Sequence, residues 1–301
     1  MLRTLIVALA AAALAPTAAL AAHPAKEPPH VEWSFEKPLG TFDRGALQRG
    51  YQVYREVCAS CHAMKQLHFR NLGEQGGPFE AVTARNHETG ASEIVLGAAG
   101  EGRKFINPND NPYVKTIAAD YEVEEIDPLT GDTATRKARP SDRFHSPFPN
   151  DAAAAAANGG AHPPDMSVLA KARRGGASYI KALITGYAAP PAGLEVPVGK
   201  YYNPYMEGDL SGFWKGDPRH VPVGGFIAMP PQLTPDRVTY SDGTKATPEQ
   251  MASDVATFLA WAADPKAEAR KTMGLQVLIY LLILTALVYA AYRAVWKDVK
   301  H

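Results

Sequence analysis

The stretch of residues 42–64, FDRGALQRGYQVYREVCASCHAM, predicts the first structured element of the chain and carries both of its cysteines. Asp43 is of a residue type that caps helix N-termini. Leu47, Tyr51 and Tyr54 follow at helical spacing, so they can share the apolar face of one helix. The sequence therefore predicts a helix that begins after Asp43 and presents the two cysteines at its C-terminal end.

The cysteines and the histidine that follows them, Cys58, Cys61 and His62, form a C-x-x-C-H sequence. A disulfide or thiol-redox pair is chemically possible, but a thioredoxin-like pair lies at a helix start and makes no use of a trailing histidine. Structural zinc needs about four ligands, and no second Cys/His pair at ligand spacing exists in the sequence. The same spacing is the attachment signature of one covalently bound haem c, in which His62 reaches the iron. We favour haem over the other two interpretations.

A haem iron bound by His62 has an opposite face, where methionine, histidine or an open position gives different chemistry. Of the seven methionines, four are set aside by their position or setting: Met1, Met64, Met251 and Met273. Met166, Met206 and Met229 remain, and core packing is the alternative role for each. Met229 stands between glycines and two prolines in GGFIAMPPQL, an extended, rigid loop suited to hold a thioether against a flat ring. Core packing is the default role of any single methionine, and Met229 is preferred as the second ligand only when this setting is taken together with the family resemblance given below.

The N-terminal residues MLRTLIVALAAAALAPTAALAA begin with one basic residue, continue through an apolar run and reach small residues at Ala19 and Ala21. This order predicts a secretory signal peptide, residues 1–21, that is cleaved after Ala21. A retained membrane anchor is the weaker alternative, because the apolar run is short and Pro16 interrupts it. The mature chain is expected to start at residue 22, outside the cytoplasm.

A second apolar segment, residues 272–292, contains no charged side chain. At about 1.5 Å per residue its helix would span roughly 31 Å, close to the roughly 30 Å hydrocarbon core of a bilayer. The sequence therefore predicts a single-pass transmembrane anchor in the inner (cell) membrane. Because basic residues flank both ends, the signal peptide decides the orientation: the bulk of the chain is periplasmic, and residues 293–301 form a cytoplasmic tail.

Residues 22–265, between these segments, are long enough for one periplasmic domain or two small ones. The chain has 31 basic and 31 acidic side chains, so its charge does not point to nucleic acid as a partner. Its 25 glycines and 25 prolines favour short helices joined by extended loops, and the expected fold class is mostly α. Further helices are expected at 152–157, 163–176 and 177–187, and from the cap Thr247 to Asp264; loops are expected at 73–112, 120–132 and 190–235.

Eight stretches, spread in order over nearly all of the mature chain, resemble the cytochrome c1 family of haem subunits, of the alpha-proteobacterial and mitochondrial kind. They are WSFEKPLGTFDRGALQRGYQVYREVCASCHAM, ARPSDRFHSPFPN, NGGAHPPDMS, ARRGGASYIKALITGY, YYNPYM, IAMPPQL, DGTKATPEQMASDVATFLAWAADPK and the C-terminal anchor. A generic monohaem cytochrome would share only the C-x-x-C-H and a methionine. The resemblance implies a cytochrome c-like haem domain with extended loops and one C-terminal transmembrane helix.

The resemblance also implies a set of haem-contacting residues: Cys58 and Cys61 for covalent attachment, His62 and Met229 as axial ligands of the iron, Arg173 beside a propionate, Tyr179 near the haem, and Pro163 and Pro164 lining its crevice. An arginine fork suits a carboxylate, although a solvated helix charge is the alternative interpretation of Arg173.

The activity that the resemblance implies is electron transfer by a non-catalytic subunit of ubiquinol:cytochrome c oxidoreductase. The chain would take electrons from a Rieske iron–sulfur protein and pass them to a soluble or membrane-bound cytochrome c, beside cytochrome b, in a dimeric complex within the lipid bilayer. Two alternatives stay open: a free-standing membrane-tethered monohaem cytochrome that donates to an oxidase, and a haem peroxidase or gas sensor with an open distal face. The acidic segment 120–132 is either a solvated loop or a docking surface, and loop 208–225 has no expected role.

Overall fold

The computed structural model describes residues 25–86, 88–100 and 103–298. The predicted signal peptide, residues 1–21, lies outside the described residues, as does the end of the predicted tail. The chain forms two compact units. The larger comprises Pro29–Thr185 and the chain from Gln232 onward, and the smaller comprises Gly186–Pro231 with the N-terminal residues up to Pro28. The single domain predicted for residues 22–265 stays a prediction.

Within the described residues the fold is mostly helical, as predicted. Its six α-helices are α1 (Arg44–Val53), α2 (Pro112–Ala119), α3 (Asp151–Ala157), α4 (Gly176–Thr185), α5 (Pro248–Ala263) and α6 (Ala267–Trp296). Side-chain oxygens of Asp43, Asn111, Asn150 and Thr247 accept backbone N–H groups at the starts of α1, α2, α3 and α5. These are preferred capping residues, so the predicted starts of α1, α3 and α5 are confirmed.

The crossing of α1 and α5 forms the core of the larger unit. Gly50 of α1 lies at the crossing, where a Cβ atom would stand 2.1 Å from the carbonyl oxygen of Asp254. Only glycine permits this close approach of the two backbones. The apolar face predicted for α5 is buried as expected, at 0–2% exposure: Met251, Val255, Phe258 and Leu259. Aromatic rings surround it, and Tyr51 makes an edge contact with Phe258 at 5.7 Å between centroids.

The seven strands of the described residues are β1 (Ala81–Arg85), β2 (Ser92–Leu96), β3 (Lys104–Phe105), β4 (Glu122–Ile126), β5 (Thr133–Lys137), β6 (Tyr201–Asn203) and β7 (Gly225–Ile227). They form antiparallel sheets in the orders β2-β1-β3, β4-β5 and β6-β7. Six of the seven strands lie in segments that the sequence predicted to be loops, and β5 directly follows one of these segments. The loop prediction was wrong for all of these strands except β5, because strands of two to five residues, many of them exposed, carry almost no periodic signal.

Residues 163–176 were predicted to be helical, and this prediction was wrong for residues 163–175, which lead through irregular chain and turns into α4 at Gly176. The Ser167 N–H donates to Asp165 Oδ1, and the Ser167 hydroxyl accepts the N–H of Gln66. Such local side-chain bonds compete with helical bonding. Gly175 also has a φ of +85°, which suits a turn rather than a helix.

The smaller unit has its own apolar cluster, formed by Leu194, Tyr202 and Leu210 with the partly buried Trp214 and Phe226. It includes the loop at residues 208–225. The indole Nε1 of Trp214 donates to the carbonyl of Asp217 at 2.9 Å. Leu210 and Trp214 of this loop therefore belong to the same apolar cluster as Tyr202 of β6 and Phe226 of β7.

The C-terminal helix α6 contains the predicted membrane segment and extends beyond both of its ends. It is long and apolar enough to cross a bilayer, and its apolar window has no buried share in the structure. The helix begins five residues before the uncharged segment and continues to Trp296, within the predicted tail. This helix fits a single-pass membrane anchor.

Candidate haem site and family

A π-helical turn, Tyr54–Cys58, continues α1 and positions the first cysteine. The chain then folds back on itself, because the N–H groups of Cys61 and His62 both donate to the carbonyl of Cys58, at 3.1 and 2.9 Å. Widened helical turns of this kind are frequent at functional sites. The motif is thus a compact loop at the end of α1, as the sequence predicts.

The imidazole of His62 is buried, with 8% exposure, and its Nδ1 lies 2.8 Å from the carbonyl oxygen of Pro164. A carbonyl accepts only, so Nδ1 carries the proton and Nε2 keeps its lone pair. Burial lowers the pKa of His62, and the bond to Pro164 opposes this shift. His62 is therefore a neutral imidazole at pH 7 with Nε2 available as a metal ligand.

A strap of residues 164–167 runs beside the motif and holds this carbonyl in place. The N–H of Met166 donates to the Ala63 carbonyl at 2.8 Å, and the N–H of Lys65 donates to Asp165 Oδ2 at 2.9 Å. Pro164, by its fixed φ, limits the freedom of the strap further. Three hydrogen bonds in succession thus fix the tautomer and orientation of His62.

The cysteines are both free thiols and partly buried. Desolvation raises the pKa of the Cys58 thiol to about 12, and Cys61 adds a smaller effect in the same direction. A thiol-redox pair requires the opposite shift, since the thiolate is its nucleophile. Among the described residues, no three His, Cys, Asp or Glu side chains form a group that could hold a metal ion. The thioredoxin-like and zinc interpretations therefore lose support, while two thiols beside a neutral histidine fit a covalently attached haem.

Pro163 lines a small cavity beside the motif, together with Cys61, Ala63 and Phe148. Pro164 contributes its carbonyl to His62, as described above. Both prolines therefore lie against the C-x-x-C-H loop. Their contact with a haem crevice stays a prediction.

Arg173 and Tyr179 lie in and after the turn that precedes α4. The Arg173 side chain is exposed, and its Nη1 donates to the neighbouring Ala172 carbonyl at 3.0 Å. No acidic side chain within the described residues forms an ion pair with it. Tyr179 lies on α4 and packs partly buried against the core of the larger unit. Their roles toward a propionate and the haem stay predictions.

Met229 belongs to the smaller unit, directly after β7. It is partly buried, and its carbonyl accepts the hydroxyl of Tyr187 at 2.9 Å. Burial raises the pKa of Tyr187, so this hydroxyl stays a donor at neutral pH. Sequence reasoning missed Tyr187, because nothing in TGYAAPP indicates a partner 42 residues away. The assignment of Met229 as an axial ligand stays a prediction.

The other methionines divide by burial. Three are packed in the core of the larger unit, at 0–7% exposure: Met64, Met166 and Met251. Met166 was one of three candidate ligands, and its thioether fills the core instead. Met206 is partly buried in the smaller unit, as Met229 is. The burial pattern therefore leaves Met206 and Met229 as the candidates for the second ligand of the haem iron.

A sequence model described as the Cytochrome C1 family matches residues 33–299 of this chain. The chain belongs to the cytochrome c1 family. It is similar to cytochrome c1 of Rhodospirillum rubrum, at 41% identity over 286 residues, which cover 90% of this chain and 88% of that protein. A mitochondrial cytochrome c1 heme protein of Solanum tuberosum is 38% identical over 275 residues, covering 91% and 87% of the two chains.

The cytochrome b/c1 protein of Bradyrhizobium diazoefficiens is 39% identical over 291 residues. That match covers 90% of this chain but 36% of the other, so this chain spans about a third of the length of that relative. Membership of the cytochrome c1 family makes the chain a c-type haem protein and an electron-transfer subunit of a cytochrome bc1 complex.

Proposed function

We propose that this chain takes electrons from a Rieske iron–sulfur protein and passes them to a soluble or membrane-bound cytochrome c. Cys58 and Cys61 attach one haem c, and His62 and Met229 bind the two faces of its iron. The observation that carries this proposal is the bond from His62 Nδ1 to the Pro164 carbonyl, which leaves Nε2 for iron. The bound haem supplies a one-electron ferric–ferrous couple.

The protein residues have three tasks in this function. The strap at residues 164–167 holds the His62 ring in one orientation. A bound iron would therefore keep the same imidazole geometry in its ferric and ferrous states. The Tyr187 hydroxyl holds the carbonyl of Met229 and limits the movement of the methionine loop. Arg173 pairs with a propionate, and Tyr179, Pro163 and Pro164 line the crevice. No bond is made or broken in a substrate, so no general acid or base is needed.

The acidic segment 120–132 continues into β5, and β4 and β5 pair as an antiparallel hairpin. This acidic hairpin is the proposed docking surface for a basic cytochrome c. Two of its carboxylates already have cationic partners: Glu125 binds Arg136 at 2.6 Å, and Glu122 binds Lys137 at 3.2 Å. Glu124 is exposed, and no cationic side chain within the described residues forms an ion pair with it. The docking contribution is therefore expected to be modest and to weaken with salt, since exposed charges are screened.

The proposed placement in the cell is supported by the predicted signal peptide and by the apolar helix α6. The signal peptide, residues 1–21, exports the haem domain, and α6 holds it at the periplasmic side of the inner membrane. Beside it stand cytochrome b and the Rieske protein in a dimeric complex. Co-purification of the full chain with a cytochrome b and an iron–sulfur protein distinguishes this arrangement from a free-standing cytochrome that feeds an oxidase.

The test is the optical spectrum of the membrane-extracted protein, oxidised and reduced, with and without carbon monoxide. We expect a low-spin c-type haem that is inert to carbon monoxide. Met229→Leu should become high-spin and reactive, while Met206→Leu, a matched change in the same unit, should behave as wild type. Carbon monoxide binding by the wild type would refute the axial assignment and favour the sensor or peroxidase alternative.

A further inference from the structure

Four charged residues lie between the cap and the fifth residue of α6, and each one contacts another part of the larger unit: Lys266, Glu268, Arg270 and Lys271. These residues precede the uncharged membrane segment. Lys266, at the cap position, binds Glu74 at 2.5 Å, and Arg270 binds Asp264. Beyond Lys271, the residues of α6 are all exposed. The helix is therefore attached to the domain through its first turn.

Glu268 makes the most extensive of these contacts. Its Oε1 accepts Arg44 Nη1 at 2.9 Å and the backbone N–H of Phe42 at 2.7 Å. Its Oε2 accepts Arg44 Nη2 at 2.7 Å. The carboxylate side chain is 20% exposed, so water screens the pair only partly. A two-point guanidinium–carboxylate pair fixes direction as well as distance.

Lys271 adds a second attachment, one turn further along the helix. Its Nζ donates to the carbonyls of Phe35, Lys37 and Gly40, at 2.8 Å for Lys37 and 3.4 Å for Gly40. These carbonyls belong to the segment that leads into α1. One helical turn thus holds the approach to α1 and its first residue at separate points, which opposes rotation as well as translation.

The residues that Glu268 holds are directly connected to the haem-binding motif. Phe42 immediately precedes the cap Asp43, and Arg44 is the first residue of α1. The other end of α1 leads through the π-helical turn into the C-x-x-C-H loop. An α-helix is a stiff element, so a fixed start determines the direction of its end.

We propose that Arg44 and Glu268, with Lys271, form an orientation lock that sets the angle between the haem-carrying domain and the membrane helix. They are positioning residues, since none of them contacts the motif. The lock keeps the haem at a constant height and tilt above the bilayer while partners exchange electrons with it. The inference rests on the proposed function, in which α6 spans the membrane and the motif carries haem.

The test uses the full-length, haem-loaded chain in oriented bilayer stacks, with Glu268→Ala as the principal variant. Electron paramagnetic resonance of the ferric haem at several sample tilts reports the haem orientation and its angular spread. We expect the spread of Glu268→Ala to be about twofold wider than that of wild type, because the variant loses three hydrogen bonds to charged or backbone groups. Glu268→Gln keeps a hydrogen-bond acceptor, so its angular spread should lie between those of wild type and Glu268→Ala.

A second measurement does not depend on haem. The N–H of Phe42 donates directly to Glu268, so its hydrogen exchange reports opening of the lock. We expect this exchange to rise on the order of tenfold in Glu268→Ala. Glu249→Ala is the matched control, since Glu249 is an exposed glutamate in the first turn of α5. It should leave both the exchange of Phe42 and the haem orientation unchanged.

The possible outcomes separate the lock from the proposed function. Exchange of Phe42 that stays unchanged, or exchange that rises without any wider angular spread, would overturn the lock. A lower unfolding temperature with an unaltered spread would show a stabilising role only, and would overturn it too. Arg44 is left intact because the buried Glu80 lies 3.9 Å from it. A wild-type chain without a c-type spectrum would contradict the proposed function. In that case the hydrogen exchange of the Phe42 N–H would still test the lock.

Discussion

The guanidinium of Arg49 on α1 forms a two-point ion pair with the carboxylate of Asp254 on α5, at 3.0 and 3.1 Å. The side chain of Asp254 is 2% exposed. Gln250 also donates to it, and Arg49 reaches the outer Asp242 at 2.8 Å. The pair lies one residue before Gly50, where the two helix backbones touch. It therefore determines which faces of α1 and α5 meet, and so the direction in which α1 delivers the haem motif.

Breaking this pair should strongly destabilise the larger unit. Arg49→Met leaves the buried carboxylate of Asp254 without its cation, and we expect a loss of about 3 to 5 kcal/mol in the free energy of unfolding. Urea unfolding followed by circular dichroism measures the change. Lys137→Gln removes a partner from an exposed pair and should cost less than about 1 kcal/mol. Equal losses in the two variants would contradict this account.

Gly50→Ala tests the close approach of the helices. The new methyl group would overlap the backbone of Asp254 and stand 2.7 Å from the Cβ of Phe258. We expect a destabilisation of about 1 to 3 kcal/mol, although alanine favours helix by itself. Thermal unfolding of the haem-loaded chain gives the value. Gly274→Ala, on α6 in open space, is the control and should be neutral or stabilising.

Tyr187→Phe tests the support of the methionine loop. The change removes one hydrogen bond to the Met229 carbonyl, worth about 1 kcal/mol, and leaves the ring in place. If Met229 binds iron, the methionine-to-iron charge-transfer band of the ferric protein should weaken, and the reduced protein should bind some carbon monoxide. Tyr202→Phe removes a comparable bond to Val223 in the same unit, at 2.8 Å, and should leave the band intact. An unaltered band in Tyr187→Phe means that the loop is held by other contacts.

The stability of the region around the acidic hairpin should depend on pH through Asp142. Hydrogen bonds from Arg136, with a weaker one from the Arg139 N–H, lower the pKa of Asp142. Because the folded-state pKa lies below the unfolded value of about 3.9, this stabilisation is complete above that value and is lost as the pH falls through the folded-state pKa.

Asp142→Asn should therefore cost about 1 to 3 kcal/mol at pH 7 and progressively less below about pH 4. Unfolding titrations at several pH values measure the difference between variant and wild type. Asp110→Asn changes an aspartate that is 73% exposed and should have little effect at any pH. A cost for Asp142→Asn that is the same at pH 3 and pH 7 would show that the bond, not the charge, is responsible.

Local sequence signals were sufficient to predict the helices that have strong caps and regular apolar spacing. The starts of α1, α3 and α5 follow from Asp43, Asn150 and Thr247, each of which accepts a bond within its own helix. The strands could not be predicted this way. Thr83 pairs with Ile94 on one side and Lys104 on the other, so its conformation depends on residues 11 and 21 positions away.

The sequence by itself determined the haem motif, the apolar C-terminal helix and the family, because the information lies in adjacent or regularly spaced residues. Tertiary structure alone decided how these parts are held. The carbonyl of Pro164 selects the tautomer of His62 from 102 positions away, and Glu268 holds Arg44 across 224. Such contacts depend on the directions in which helices and turns bring distant backbone and charged groups together, and no local pattern of residue types encodes those directions.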